Sequence, residues 1–569
     1  MISTEKMNWK SSLIKATVFI ALIWFIMFVL VYPNLNTVIS IFWQNGEFTF
    51  RAFERLFGST HAMNALRNSL ILAPVLSVTV GIVGVSLVLI TDYFKIKGSK
   101  ILRLGYMTTL IYSSIILVSG YRFLYGANGF LTNFIVSIFP NFNINWFEGF
   151  WAVLFVMTFA ATGTHLIFIR NALRTIDYQT IEAAKNMGAS PLKILMKVVL
   201  PTLAPALIAV TIFTFMGGLS ALAAPLLVGG ADFQTIIPMI LSFSRMQGSR
   251  DLAALLAVIL GLATFMLIGL LTWLERRGHY LSVSKTKSTL VKQQIQNPVF
   301  NVLAHVYAYI LFIIYVAPVV LIILFSFTDS LSIARSELSL SAFTLNNYIR
   351  VFTNANAYSP VLTSMIYSGL AAILAAVVVT FVCRVISKNK GRFATFLEYG
   401  FTIPWLLPPV LIALGLMVTF GEPQWFMANR VLTGTMGIMV LGYVIIRLPF
   451  TLRMTRAAFF AVDDSLEEAA KNLGAKPFFT FMKIILPVLI PSIMAIFALN
   501  FNALIQEFEL SVFLYHPLAT PLGVEIRNIS EITMGEDNTP LIFVYAVILM
   551  LISAVVLYVA YGRNQDYDD

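Results

Sequence analysis

The sequence predicts an all-α polytopic membrane protein of about twelve transmembrane helices, arranged as two parallel, pseudo-symmetric six-helix halves. Three observations carry this. The chain has 569 residues, of which 59% are hydrophobic and only 11% charged, with a mean hydropathy of +0.85. A soluble chain of that length needs far more charge to cover its surface. Twelve apolar runs reach the roughly 20 residues needed to cross a bilayer. Finally, one polar paragraph is written twice: "IEAAKNMGASPLKILMKVVLP" from Ile181 to Pro201 and "LEEAAKNLGAKPFFTFMKIILP" from Leu466 to Pro487.

In chain order the expected spans are 14–33, 69–91, 104–121, 149–169, 202–227 and 252–274, then 303–327, 359–383, 398–420, 432–450, 488–512 and 541–561. The first follows "MISTEKMNWKSSLIK", a basic start that also suits a signal peptide. It closes on "VYPNLN" rather than on a small-residue cleavage site, so a retained helix is expected. Between the sixth and seventh runs lies "ERRGHYLSVSKTKSTLVKQQIQNP" (Glu275 to Pro298), polar and basic, as a linker would be. The chain thus divides into a first half at 1–274, a linker at 275–300 and a second half at 301–569. Glu182 pairs with Glu468, Gly188 with Gly474, Pro191 with Pro477 and Pro201 with Pro487, all at an offset of 286. An even number of spans precedes the second half, so the repeats are parallel, with a pathway expected between them.

Basic residues orient the chain. With the N-terminus inside, 28 of the 38 lysines and arginines fall on the inner side, Arg447 among them. That bias places both termini and both copies of the repeated paragraph in the cytoplasm. The net charge of +11 is accounted for the same way, and nucleic acid is not an expected partner. One cysteine, Cys383, excludes an internal disulfide framework. The five histidines show no metal-ligand spacing, and His165, inside a span, reads as a satisfied packing residue. No metal site is assigned.

The repeated paragraph (about 178–201 and 464–487) reads as helix, sharp turn, helix. Asp177 is placed to cap the first short helix, Gly188 to end it in the left-handed conformation, and Ser190 with Pro191 to start the next. In the second copy Asp464 and Glu467 have capping-box spacing, Gly474 makes the turn, and Lys476 is a poorer cap than Ser190. A rigid elbow presented twice on one face suits docking on a partner; a loop lying on the membrane surface is the blander alternative.

The residues Glu182-Ala183-Ala184, Gly188, Val198, Leu200-Pro201 and again Glu468-Ala469-Ala470, Gly474, Ile484, Leu486-Pro487 resemble the EAA loop of ATP-binding-cassette importer permeases of the type I, MetI-like fold. The resemblance implies a bacterial inner-membrane permease served by two copies of a cytoplasmic ATPase and an external solute-binding protein. In such importers each loop seats its short helix in a groove of one ATPase, the alanines permitting close approach and the glutamates holding the loop. Movement of the two halves then opens the pathway. No Gly-x-x-x-x-Gly-Lys-[Ser/Thr] phosphate loop occurs, so ATP and magnesium are expected on the partner chains, with no catalysis and no cofactor here.

Fused permeases of this plan resemble those for ferric iron, with thiamine and phosphonate systems as relatives. "QEFELSVFLYHPLATPLGVEIRNI" (Gln506 to Ile529) resembles the iron-type pattern, but in the first half Ala221 and Ala223 stand where the second has Glu507 and Glu509. Ferric iron is the expected cargo, thiamine or a phosphonate the alternative, and an ion-driven secondary transporter the rival class. Gln506, Glu507 and Glu509 are the candidates for the substrate path or a binding-protein contact. Some 20 residues after Pro487 they are expected near the outer end of their span, as a gate, a docking contact or water-facing carboxylates.

Overall fold

The computed structural model describes residues 9–44, 46–174, 176–246, 248–277, 291–335, 340–388, 391–531 and 538–561. Most of the expected linker, 278–290, lies outside them, as do Gln247, 336–339 and 532–537. Among the described residues ten helices are long and apolar enough to cross a membrane. We label them α1 (Ala16–Phe42), α2 (Thr60–Tyr93), α3 (Phe150–Leu173), α4 (Pro191–Leu219), α5 (Arg250–Leu274), α6 (Pro298–Ser326), α7 (Ala355–Lys388), α8 (Met436–Phe460), α9 (Pro477–Ile505) and α10 (Thr539–Val556).

The expected spans at 104–121 and 398–420 are not straight helices. Each is a bent pair, Ser99–Leu110 with Ser114–Ile138 at 113° and Arg392–Leu406 with Pro409–Thr419 at 105°. Counted as one span each, they bring the total to twelve. The causes are local. In the first, the Thr108 hydroxyl donates back to Gly105 O at 2.6 Å and Thr109 to Tyr106 O at 3.2 Å, a competition with the helix ladder that loosens it ahead of extended Ser113. In the second, Pro408 and Pro409 remove two backbone donors and hold Leu407 extended.

Three proline sites share one device. Pro33, Pro201 and Pro487 each follow a wide π-helical turn, at Phe25–Val31, Leu195–Val199 and Phe481–Ile485. The turn takes up the residue whose carbonyl a proline ring would strike, so the helix continues past it. This is why α1 runs to Phe42 instead of stopping at Pro33.

The packing crosses the chain's halves. α6, which opens the second half, lies on the first: Tyr106 Oη donates to Ala308 O at 2.7 Å, Tyr121 Oη to Ile314 O at 3.2 Å, and the Thr162 and Tyr315 hydroxyls meet at 2.6 Å. Conversely α1 lies on the second half. Ile26, Val29 and Leu30 share an apolar core with Ala371, Leu397, Phe401, Ala413 and Leu448, and Asn36 Nδ2 donates to Thr419 Oγ1 at 3.1 Å. Glycines admit these crossings. A Cβ on Gly105 would stand 2.3 Å from Phe312, and one on Gly415 would stand 3.1 Å from the backbone of Pro33.

Candidate functional site: two elbows and a chamber between the halves

The first elbow is the short helix Tyr178–Asn186 running into α4. Asp177 accepts from Gln179 N at 3.0 Å and Ser190 from Lys193 N at 3.4 Å, so both caps stand where the sequence places them. Gly188 has φ +78°; its N–H reaches Lys185 O and that of Ala189 reaches Ala184 O. These are the paired bonds of a helix closed by a left-handed residue. The second elbow, Ser465–Asn472 running into α9, repeats them: Gly474 has φ +80°, with Gly474 N to Lys471 O and Ala475 N to Ala470 O. Lys476 gives no side-chain cap, in keeping with the sequence.

The capping box does not form. Asp464 has helical φ and ψ and no side-chain cap bond; Asp463 caps instead, accepting from Ser465 N at 2.9 Å. Glu467 is thereby released to α7, where Arg384 grips it with two bonds of 3.0 and 2.9 Å and Lys388 adds a third contact at 2.6 Å. A bidentate guanidinium offers the carboxylate more than a single backbone N–H. The Arg384 hydrogen bonds, outweighing partial burial and assisted by Lys388, hold the Glu467 carboxyl down to about 2.

Matched positions of the two elbows face the same way. Ala184 and Ala470 are buried against the chain, whereas Glu182, Ala183, Glu468 and Ala469 are exposed. Neither Glu182 nor Glu468 has an ion-pair partner among the described residues. Beside each glycine an apolar side chain stands out, Met187 at 81% exposure and Leu473 at 88%, followed by Leu192 at 69% and Phe478 at 72%. Large exposed apolar groups thus recur at matched places of the two elbows.

A chamber of about 410 Å³ opens where the Pro404–Pro409 bend leaves the bundle. Met216, Gly217 and Ser220 of α4 and its exit line one side, and Trp405, Pro408, Arg447, Phe450 and Glu509 the other. Arg447 belongs to α8 and stands roughly 16 Å along it from Met436, about halfway across a bilayer. Its sequence assignment to the inner basic residues is therefore corrected: the guanidinium sits within a span. The signal was legible, since an arginine inside the apolar run "GYVIIRLPF" is a functional candidate by default.

The candidate path residues part company. Gln506 donates to Ser553 Oγ at 2.8 Å, tethering the end of α9 to α10. α9 stops at Ile505, so Glu507 and Glu509 follow the helix rather than lie on it. Glu507 spends its carboxylate on Leu510 N at 2.7 Å and Ser511 N at 3.0 Å, capping the short helix Ser511–Leu514. Glu509 alone faces the chamber, half-buried. His165 is packed, fully buried and close to Gly84, with the Ala161 backbone one helical turn back beside its ring. Among the described residues no three His, Cys, Asp or Glu side chains converge as metal ligands would.

The family model of the binding-protein-dependent transport system inner membrane component matches twice, at residues 97–279 and 384–565. A probable ABC transporter permease protein, y4fN of Sinorhizobium fredii, is 34% identical over 542 residues, 95% of either chain. The ferric transport system permease protein FbpB of Actinobacillus pleuropneumoniae is 22% identical over 87% of this chain and 71% of its own. A putative 2-aminoethylphosphonate transport system permease protein, PhnV of Salmonella typhimurium, is 25% identical over 45% of this chain and 94% of its own. Two family matches, one in each half and each enclosing one elbow, establish that the chain is a fused, two-repeat member of the binding-protein-dependent ABC importer permeases of the inner membrane.

Proposed function

We propose that this permease couples ATP binding and hydrolysis on two copies of a cytoplasmic ATPase to alternating access for ferric iron delivered by an external binding protein. The observation that carries the coupling is the matched pair of elbows, each presenting an exposed Glu-Ala face and an apolar knob, Met187 or Leu473, beside a left-handed glycine. Glu182, Ala183, Ala184 and Gly188, with Glu468, Ala469, Ala470 and Gly474, form the docking surface. This orientation puts both termini in the cytoplasm, as the basic-residue bias requires. The halves on either side of the 275–300 linker are the two moving bodies. Iron as cargo is supported by the relatives named for ferric transport. A phosphonate is the second reading, favoured by Arg447 in the chamber wall and by the phosphonate relative.

The test is co-purification with the ATPase and stimulation of its turnover. Gly188→Pro removes an N–H bonded to Lys185 O and forbids the positive φ, and Glu468→Lys reverses the exposed charge. Both variants are expected to insert normally yet lose stimulated ATPase activity and uptake. Unchanged ATPase binding and stimulation in both would remove the docking role.

A further inference from the structure

The chamber presents two opposite charges that do not neutralise each other. Arg447 and Glu509 both line it, yet no ion pair joins them among the described residues. Each is accounted for separately. The Arg447 Nε donates to Asn500 Oδ1 at 3.0 Å, Asn500 Nδ2 donates to Thr451 Oγ1 at 2.8 Å, and Thr451 Oγ1 donates back to Arg447 O at 2.7 Å. The guanidinium also lies over the Phe450 ring, 4.6 Å from its centroid. This closed ring of bonds fixes the group while spending one of its five donors. The free edge of a guanidinium is the fork that takes a carboxylate or phosphonate by two parallel bonds. The Glu509 carboxylate has no hydrogen-bond partner among the described residues, while that of Glu507 nearby is consumed by backbone donors.

We infer that the chamber binds a small solute carrying both an oxyanion, held by the fork of Arg447, and a positive centre, faced by Glu509. The inference rests on the permease reading above and deepens it. The volume falls within the roughly 300–1,000 Å³ of small-molecule sites. A bare hard cation is disfavoured: such ions take six or more oxygens, Glu509 is the single carboxylate on this wall, and Arg447 repels them. Ferric iron fits this site as a complex with an oxyanion, whose outer oxygens meet Arg447. An organic zwitterion such as an aminoalkylphosphonate fits it directly. The site is single: 286 residues earlier, the first half has Ala161, Thr214 and Ala223 where the second has Arg447, Asn500 and Glu509.

Equilibrium binding to the purified full-length chain in lipid nanodiscs decides the matter, without ATP or ATPase, so its failure leaves the docking test untouched. The probes are labelled 2-aminoethylphosphonate and ferric citrate, with ethylphosphonate and ethanolamine each lacking one charge. At least one bipolar probe is expected to bind, and both single-charge probes to bind at least about tenfold more weakly. Arg447→Gln is expected to weaken every oxyanion probe by about tenfold or more, with Arg447→Lys restoring part of it. Glu509→Gln should weaken the bipolar probes and leave ethylphosphonate unchanged. Preference for one bipolar probe identifies an organic zwitterion or a metal complex as the source. Ethanolamine binding as well as the bipolar probes, Arg447→Gln and Arg447→Lys both binding like the parent, or no probe binding at all, would each overturn the inference. Melting of each variant at the parent's temperature separates lost contact from lost fold.

Discussion

Gly188 and Gly474 stand at φ +78° and +80°, and nothing lies within 4 Å of where a Cβ would be placed on either. Their role is therefore conformational and not steric. An alanine there pays only for the left-handed backbone, about 1–2 kcal/mol, and is expected to speed amide exchange of Ala184–Ala189 or Ala470–Ala475 while leaving the spans protected. Exchange unchanged in both alanine variants would mean the turns do not depend on glycine. At this scale the elbows were legible, because capping and turn chemistry are local and written in adjacent letters. Glu467 was not. Its capping-box spacing is real, but a guanidinium 83 residues away competes for the same carboxylate, and only the fold reveals Arg384 as a neighbour. Likewise Glu507 and Glu509 look equivalent in sequence, yet backbone donors three and four residues on claim the first alone.

As elements the two elbows share a shape but not an anchor. Ile181 occupies the place of Glu467 and is buried, together with Ala184, in the main apolar core. The second elbow leans on a small separate cluster of Phe481, Ile485 and Leu489, with Arg384 joining Glu467 to the face of Phe481 at 5.3 Å. One anchor is hydrophobic and insensitive to pH; the other is ionic. The Glu467 carboxyl titrates below its ordinary value of 4.5, at about 2, because the folded elbow favours the charged form. The anchor's contribution is thus complete above about 4.5 and fades as pH falls from there through about 2. A spin label at Leu473→Cys is expected to gain mobility over that fall, and one at Met187→Cys to stay as it was; buried Cys383 does not compete for label. Glu467→Gln should show the mobile spectrum already at neutral pH. Equal responses from the two elbows would sink this asymmetry. The bends were illegible for a related reason: an apolar run states that a segment is buried or lipid-facing, not that it stays straight.

Across the whole molecule each half is clasped by the other's first helix, α6 by Tyr106, Tyr121 and Thr162, and α1 by the apolar seat around Phe401 and Ala413. The sequence showed two repeats and their order but not this exchange, since a face turned to lipid and a face turned to another helix are equally apolar. Close glycine approaches are what distinguish them. Gly415 lets the backbone of Pro33 come to within 3.1 Å of its absent Cβ, whereas Gly81 in α2 has nothing within 4 Å. Gly415→Leu must therefore lift α1 off its seat, costing about 1–3 kcal/mol of overpacking, while Gly81→Leu meets open space. Asn36 and Thr419 are in hydrogen-bond contact across the crossing, so cysteines at both positions stand near enough for a short bifunctional thiol reagent to report it as a crosslink. The crosslink is expected to form in the parent and with Gly81→Leu, and to fall sharply with Gly415→Leu, accompanied by a lower melting temperature. Because α1 rests on the half that carries Arg447 and Glu509, the same variant should also weaken solute binding in the chamber. A full crosslink yield in Gly415→Leu would mean that α1 is not seated on the second half by this contact, and that the clasp does not tie the two bodies together as they move.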